Sequence, residues 1–164
     1  MATYHHGSLR AAILEAAARR IEADGPERLS VREAARLAGV SHNAPYRHFP
    51  DREALLAALA AEGMTKLLKE LGERSGRELA EAYVRFALSR PQLFRVMFRG
   101  RRWPELEARF EQAFAAVGEA GAAAAWALVH GLACLIVDGN LKRDDGEWMR
   151  VIGAMRFAVA QRSA

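Results

Sequence analysis

Between residues 28 and 52 the sequence gathers side chains suited to bonding an anionic polymer. Arg28, Arg32, Arg36, Arg47 and Arg52 are opposed only by Glu33 and Asp51, with His42 and His48 beside them. Within this window "SHNAPYRHF" combines short polar groups able to reach base edges with longer donors for phosphates. Asn43 can bond an adenine in two places, His42 can donate to guanine, and Ala44 is small enough to approach a thymine methyl. Tyr46, Arg47 and His48 carry donors suited to phosphate. Ser30 and Ser41 each stand where a helix would begin, and free N–H groups there favour phosphate. Arg32 and Arg52 occupy first turns nearby. Phe49 reads as an apolar anchor.

Other chemistries find little support. There is no glycine-rich phosphate loop, no pair of carboxylates and no Ser/His/Asp set, so we expect no enzymatic activity. The single cysteine, Cys134, excludes an internal disulfide framework and a Cys-based zinc finger. Its apolar surroundings raise a thiol's pKa rather than activating it. His130 and Cys134, four apart, supply only two metal ligands and no nearby carboxylate, so no metal or other cofactor is expected. "MATYHHGSLR" has no apolar core of a secretion signal, which points to a reducing cytoplasm.

The elements that must position these residues are helices. The chain has 164 residues, a net charge of +4 and 51% hydrophobic residues, but 34 of those are Ala. Helix propensity is therefore high and the large apolar core modest. Ile13, Leu14, Ala17, Ala18 and Ile21 recur with helical spacing until Gly25 and Pro26. Ser30 and Glu33 form a capping box for a short helix that Gly39 stops. A second short helix, capped by Ser41 and running to about Phe49, would complete a helix-turn-helix. Pro45 disturbs that helix by removing an N–H and crowding the Ser41 carbonyl. Either 41–44 is a non-ideal turn, or the helix proper starts at Pro45.

A long helix follows from Asp51, with Leu55, Leu56, Leu59, Met64, Leu67, Leu68 and Leu71 as its stripe and Gly63 as a bend. Pro91 and Pro104 each open a further helix. Aromatic and Met residues concentrate at Phe86, Phe94, Met97, Phe98, Phe110 and Phe114, which suit either a core or a ligand cavity with few polar groups. Trp126 and His130, on one helix face, would supply its polar end. Residues 120–137 carry only His130 as an ionisable group; their seven alanines fit a buried central helix better than a membrane span. The last helix, about 147–161, places Val151, Ile152, Met155 and Val159 on one side.

The run "SVREAARLAGVS" followed by "YRHFPDREALL", within residues 4–59, resembles the tetracycline-repressor-type (TetR) family of bacterial regulators. "WALVHGLACLIVDG" is similar to a C-terminal subtype of that family with a W-x-x-x-H-G pattern. The resemblance implies an all-α fold, with a three-helix DNA-binding domain at 1–50 and a helical effector-binding and dimerisation domain at 51–164. It also implies a homodimer, a double-stranded operator, an unidentified small-molecule effector held among the aromatic set with Trp126 and His130, and a nucleoid-associated cytoplasmic repressor. The dimer is expected on the last two helices, roughly 121–141 and 147–161, where an Arg at Leu132 or Ala133 would bury an unpaired charge if those positions face the partner.

Overall fold

The computed structural model describes residues 6–41, 43–115 and 118–154. These form eight α-helices: α1 (His6–Asp24), α2 (Val31–Leu37), α3 (Arg52–Leu71), α4 (Gly76–Ser89), α5 (Pro91–Phe98), α6 (Pro104–Ala113), α7 (Gly118–Val137) and α8 (Asp145–Ala154). Two short 3₁₀ turns, Pro26–Arg28 and Ala44–Arg47, lie on either side of α2. The all-α expectation holds. Packing divides the chain into two compact units, Met1–Thr65 with Arg90–Arg101, and Lys66–Ser89 with Arg102–Ala164.

In the first unit α1 lays Ile13, Leu14, Ala17 and Ile21 into a core completed by Val31, Ala34 and Ala35 of α2, Phe49, and Leu55 and Leu59 of α3. Gly25, at φ +78°, ends α1 as its sequence suggests. Helix α5 belongs here too. Its first turn is capped from α1: the Glu22 carboxylate accepts from the backbone N–H of Gln92 at 3.2 Å and of Leu93 at 2.8 Å. Gly63, read in the sequence as a bend, also has a packing role. A Cβ at Gly63 would lie 2.7 Å from Met97 Sδ and 3.2 Å from Leu93 Cδ1, so the missing side chain is what admits α5.

In the second unit α4 packs on α7 and α8, and α6 packs on α7. Leu79, Tyr83 and Phe86 follow the helical period of α4 and are fully buried, against Leu106 and Phe110 of α6 and Val129, Ala133 and Ile136 of α7. Trp148 of α8, which the sequence pattern did not flag, is also buried, with the Arg85 guanidinium 5.2 Å from its ring centre. Pro91 and Pro104 begin their helices as expected. Asp144 caps α8 by accepting from the Glu147 N–H at 3.0 Å. Of the last helix's stripe Ile152 is buried and Val151 is exposed; Met155 and Val159 lie outside the described residues.

Helix α7 departs from expectation. It is long and apolar enough to cross a membrane, but only a third of the 120–137 window is buried within the chain. Ala122, Ala125, Leu132 and Ala133 face the unit's own core, so Leu132 and Ala133 do not present themselves to a partner. The exposed side carries Leu128 (55% exposed) and Leu135 (45%) instead.

Candidate nucleic-acid interface and ligand cavity

The helix-turn-helix is built from local signals. Ser30 is extended at φ −130° and its hydroxyl accepts from the Glu33 N–H at 3.1 Å, closing the first turn of α2. The reciprocal half of the capping box is replaced. Both Glu33 oxygens accept from Arg36, at 2.8 and 2.9 Å, which holds the Glu33 carboxyl below its ordinary pKa. At the other end Gly39, at φ +69°, donates to Arg36 O while Val40 donates to Ala35 O. This paired pattern is a left-handed C-terminal cap that needs a glycine.

After this turn the expected Ser41-capped α-helix does not form. The Ser41 carbonyl accepts from the Ala44 N–H three residues on, at 3.2 Å, and the segment continues as the single 3₁₀ turn Ala44–Arg47. Pro45 accounts for this: it has no N–H to return to Ser41. Its ring is buried, and its carbonyl accepts from the N–H groups of both His48 and Phe49 at 2.9 Å. Phe49 is 1% exposed, with the Arg10 guanidinium 5.7 Å from its ring centre, and so anchors the segment. Pro45 and Phe49 turn the rest outward. Asn43, Tyr46 and Arg47 are exposed, Ala44 and His48 half-buried, and His42 lies outside the described residues.

Ser30, Arg32 and Ser41 are exposed and line one groove of about 470 Å³ with Arg36 and Val40. Arg52 differs from the other candidate donors. Its Nε donates to Leu29 O at 3.0 Å and its Nη2 to Pro26 O at 2.8 Å, while Nη1 pairs with Glu53 at 2.9 Å. The guanidinium bolts the start of α3 to the loop between α1 and α2.

The eight residues expected around a ligand are divided between the two units. Phe94, Met97 and Phe98 belong to the first unit, where the Phe94 and Phe98 rings stand 4.9 Å apart. Phe86, Phe110, Phe114, Trp126 and His130 belong to the second. There a cavity of about 150 Å³ opens beside Phe110 and Trp126, bounded by Ala122, Ala123, Glu107 and Glu111. Phe110 also meets Tyr83 edge to face and stacks near Phe114, with centres at 5.8 and 6.0 Å. Phe86 is fully buried core.

The polar end of this region includes a residue the sequence reading passed over. The Tyr83 hydroxyl lies 2.8 Å from His130 Nδ1, and His130 Nε2 lies 3.5 Å from Cys134 Sγ. Burial lowers the His130 pKa, keeping the ring neutral, and raises that of Tyr83, keeping the phenol protonated. Both contacts are satisfied when Tyr83 donates to Nδ1 and the ring proton sits on Nε2. The Trp126 indole nitrogen is buried and near enough to the Tyr83 oxygen to lower the phenol's pKa, against the larger rise that burial causes.

Comparison with known proteins settles the family. Residues 13–59 match the model of the bacterial regulatory proteins of the tetR family, and residues 77–155 match a tetracycline repressor-like C-terminal domain. The chain belongs to the tetR family. A solved structure of a protein with unknown function from Rhodococcus sp. RHA1 is 34% identical, covers 96% of this chain and 97% of its own, and superposes with a TM-score of 0.72. The TetR-family transcriptional regulator PfmR from Thermus thermophilus is 21% identical over 85% of this chain and 96% of its own, TM-score 0.59. A TetR variant from Acinetobacter baumannii AYE, solved with minocycline, is 20% identical over 91% of this chain and 89% of its own, TM-score 0.57. No curated protein matches the chain.

For a tetR-family chain, one position on α7 lacks an internal reason. Gly131 sits inside a helix, where glycine costs about 0.5–1 kcal/mol relative to Ala. Yet a Cβ there would meet nothing within 4 Å. Ala124, Leu128, Gly131 and Leu135 follow one another at four-, three- and four-residue steps, the spacing of one helix face, and all but the half-buried Gly131 are exposed.

Proposed function

We propose that this protein is a cytoplasmic, dimeric transcriptional repressor released from its operator by a small apolar or amphipathic molecule. Residues 1–50 bind DNA and 51–164 carry the effector site and the dimer contact. The observation that carries the reading is the outward-facing set Ser41, Asn43, Tyr46 and Arg47, held by buried Pro45 and Phe49 behind a doubly capped α2. Asn43 and Ala44, with His42, read base edges. Ser30, Arg32, Ser41, Tyr46, Arg47 and His48 hold phosphates, and Arg52 sets the angle of the motif from behind. A single 3₁₀ turn offers fewer residues to a groove floor than a helix does, which puts more weight on Asn43.

The dimer forms through the exposed face of α7, where Leu128 and Leu135 gain burial and Gly131 lets a partner helix come close. Two symmetric motifs then meet half-sites one DNA turn apart, about 34–36 Å. Cavity-lining Phe110 and Trp126, with His130 and Tyr83 behind them, favour the second unit as the effector site; that a protein with the same fold was solved with minocycline supports a small-molecule ligand in general. Phe86 and Phe114 pack in the core of the same unit, while Phe94, Met97 and Phe98 act as scaffold of the first unit.

The test is a pair of substitutions read by mobility shift on selected operator and on random DNA. Asn43→Ala should lose about 1–3 kcal/mol on operator alone, whereas Arg47→Ala should weaken both DNAs alike and lower the salt slope by about one. Asn43→Ala binding operator as tightly as the unmodified chain would refute the assignment.

A further inference from the structure

We infer that Glu33 limits the DNA affinity of this chain by withholding Arg36 from phosphate. This rests on the DNA-binding reading and adds to it a carboxylate that sets how many cations the helix-turn-helix offers. Arg32 and Arg36 stand one turn apart on α2 and so share a helix face. Both line the groove of about 470 Å³ with Ser30 and Ser41, and Glu33 lines it too. The two arginines are not equivalent. Arg32 is exposed and has no hydrogen bond or ion pair among the described residues. Arg36 is also open to solvent, its side chain 68% exposed, but the two Glu33 oxygens hold it at 2.8 and 2.9 Å. Paired bonds between a guanidinium and a carboxylate are charge-assisted and fix both planes. The charge of Arg36 is cancelled where that of Arg32 is not.

The carboxylate is the fixed member of the pair. The Glu33 side chain is 27% exposed, and Arg20 of α1 also pairs with it, Nε to Oε1 at 3.8 Å. Helix α2 does not need that carboxylate for its cap, because Ser30 accepts from the backbone N–H of Glu33. The bonds from Arg36, more than any other cause, hold the Glu33 carboxyl below its ordinary pKa, so it is charged wherever DNA binding is measured. A polyanion entering the groove therefore meets one available guanidinium, one cancelled one and one acid. Sequence-independent affinity follows the number of phosphates neutralised.

The experiment uses the full chain, titrated by fluorescence anisotropy on random duplex and on selected operator across a range of salt. Glu33→Gln keeps the side-chain length and the backbone N–H that Ser30 caps. It should release Arg36 and steepen the slope of log affinity against log salt by about 0.9 on both DNAs. With an ionic contact counted as neutral at about 1 M salt, that is a gain of about fifteenfold at about 50 mM and about fourfold at about 200 mM. The ratio of operator to random affinity should not change. Arg36→Gln alone should leave the slope as it is, whereas in the Glu33→Gln background it should remove the whole gain. Arg36→Lys keeps the charge but cannot hold both oxygens as a fork does, so its slope should steepen by a smaller step. A thermal melt shows whether each variant is folded. An unchanged slope in Glu33→Gln overturns the inference; if that variant does not fold, an unchanged slope in Arg36→Lys overturns it instead. A slope about 0.9 shallower in Arg36→Gln alone would show that Arg36 already holds phosphate, and a gain that survives in the double variant would show that Arg36 is not its source; either refutes the inference. An unmodified chain that binds neither DNA refutes the regulatory reading and this inference with it. Salt-dependent binding that ignores Glu33→Gln refutes the inference alone.

Discussion

Replacing Arg52 by Met keeps the aliphatic stem and removes the fork that joins α3 to the loop before α2. Two hydrogen bonds to carbonyls are lost, to Leu29 at 3.0 Å and Pro26 at 2.8 Å. A hydrogen bond to a charged group is worth about 1.5–3 kcal/mol net. The Arg52 side chain is 32% exposed, so water re-solvates part of what is lost and the lower end applies. The ion pair with Glu53, which is 75% exposed, adds little. The sum is about 2–3 kcal/mol, or a fall of roughly 5–10 °C in melting temperature for a chain of this size. The decisive measurement is the salt dependence of DNA affinity. A phosphate-bonding arginine contributes about 0.9 to the slope of log affinity against log salt, and Arg52 acting from behind contributes none. Arg52→Met should therefore melt early and bind all DNA more weakly with an unchanged slope. Arg52→Lys should recover less than half the stability, because one ammonium cannot span two carbonyls as the fork does. Unchanged melting together with a slope reduced by about one would show that Arg52 holds phosphate and that the reasoning is wrong.

Glu22→Ala leaves the N–H groups of Gln92 and Leu93 uncapped and should cost about 1–3 kcal/mol, measured by denaturant unfolding. Gly63→Ala should destabilise by about 1–2 kcal/mol, since overpacking against buried Met97 outweighs the gain in helix propensity; a raised melting temperature would restore the bend reading. Stability should fall as pH drops below about 6.5, the ordinary histidine value. There the unfolded chain takes up a proton that the depressed pKa of half-buried His130 refuses, so stability is full above that pH and is lost on acidification. In His130→Gln the difference in melting temperature between pH 7.5 and 5.5 should shrink.

Features that depend on neighbours three or four residues away were legible in the sequence. The Ser30 cap, the glycine stops at Gly25 and Gly39, and the proline starts at Pro91 and Pro104 all reflect local backbone chemistry. Pro45 was legible as a disturbance; of its two outcomes the structure gives the turn, where the Ala44 N–H reaches the Ser41 carbonyl one residue early, followed by a 3₁₀ turn in place of a helix from Pro45. Long-range roles were not legible. Arg52 reaches back 23 and 26 residues, Glu22 forward 70 and 71, and Tyr83 meets His130 across 47. Composition could say that aromatics were plentiful between 86 and 114, but not that they would be shared between two cores. Gly63 has the same ambiguity, since a helical glycine reads as a bend or as a close approach until the neighbour is known.

Residues 90–101 pack with 1–65, although 66–89 intervene along the chain. The polypeptide thus passes from one unit to the other three times, and the DNA-reading unit is not a cassette. A fragment ending at Thr65 would lose Leu93 and Met97 from the face that Gly63 leaves open, and leave Glu22 with no amides to cap. Exchange of the whole unit with a relative needs two separate inserts joined in register. A single genetic crossover delivers only a mismatched half. If exposed Asn43, Tyr46 and Arg47 read DNA as proposed, recognition is free to change through point substitutions there and is shielded from wholesale replacement.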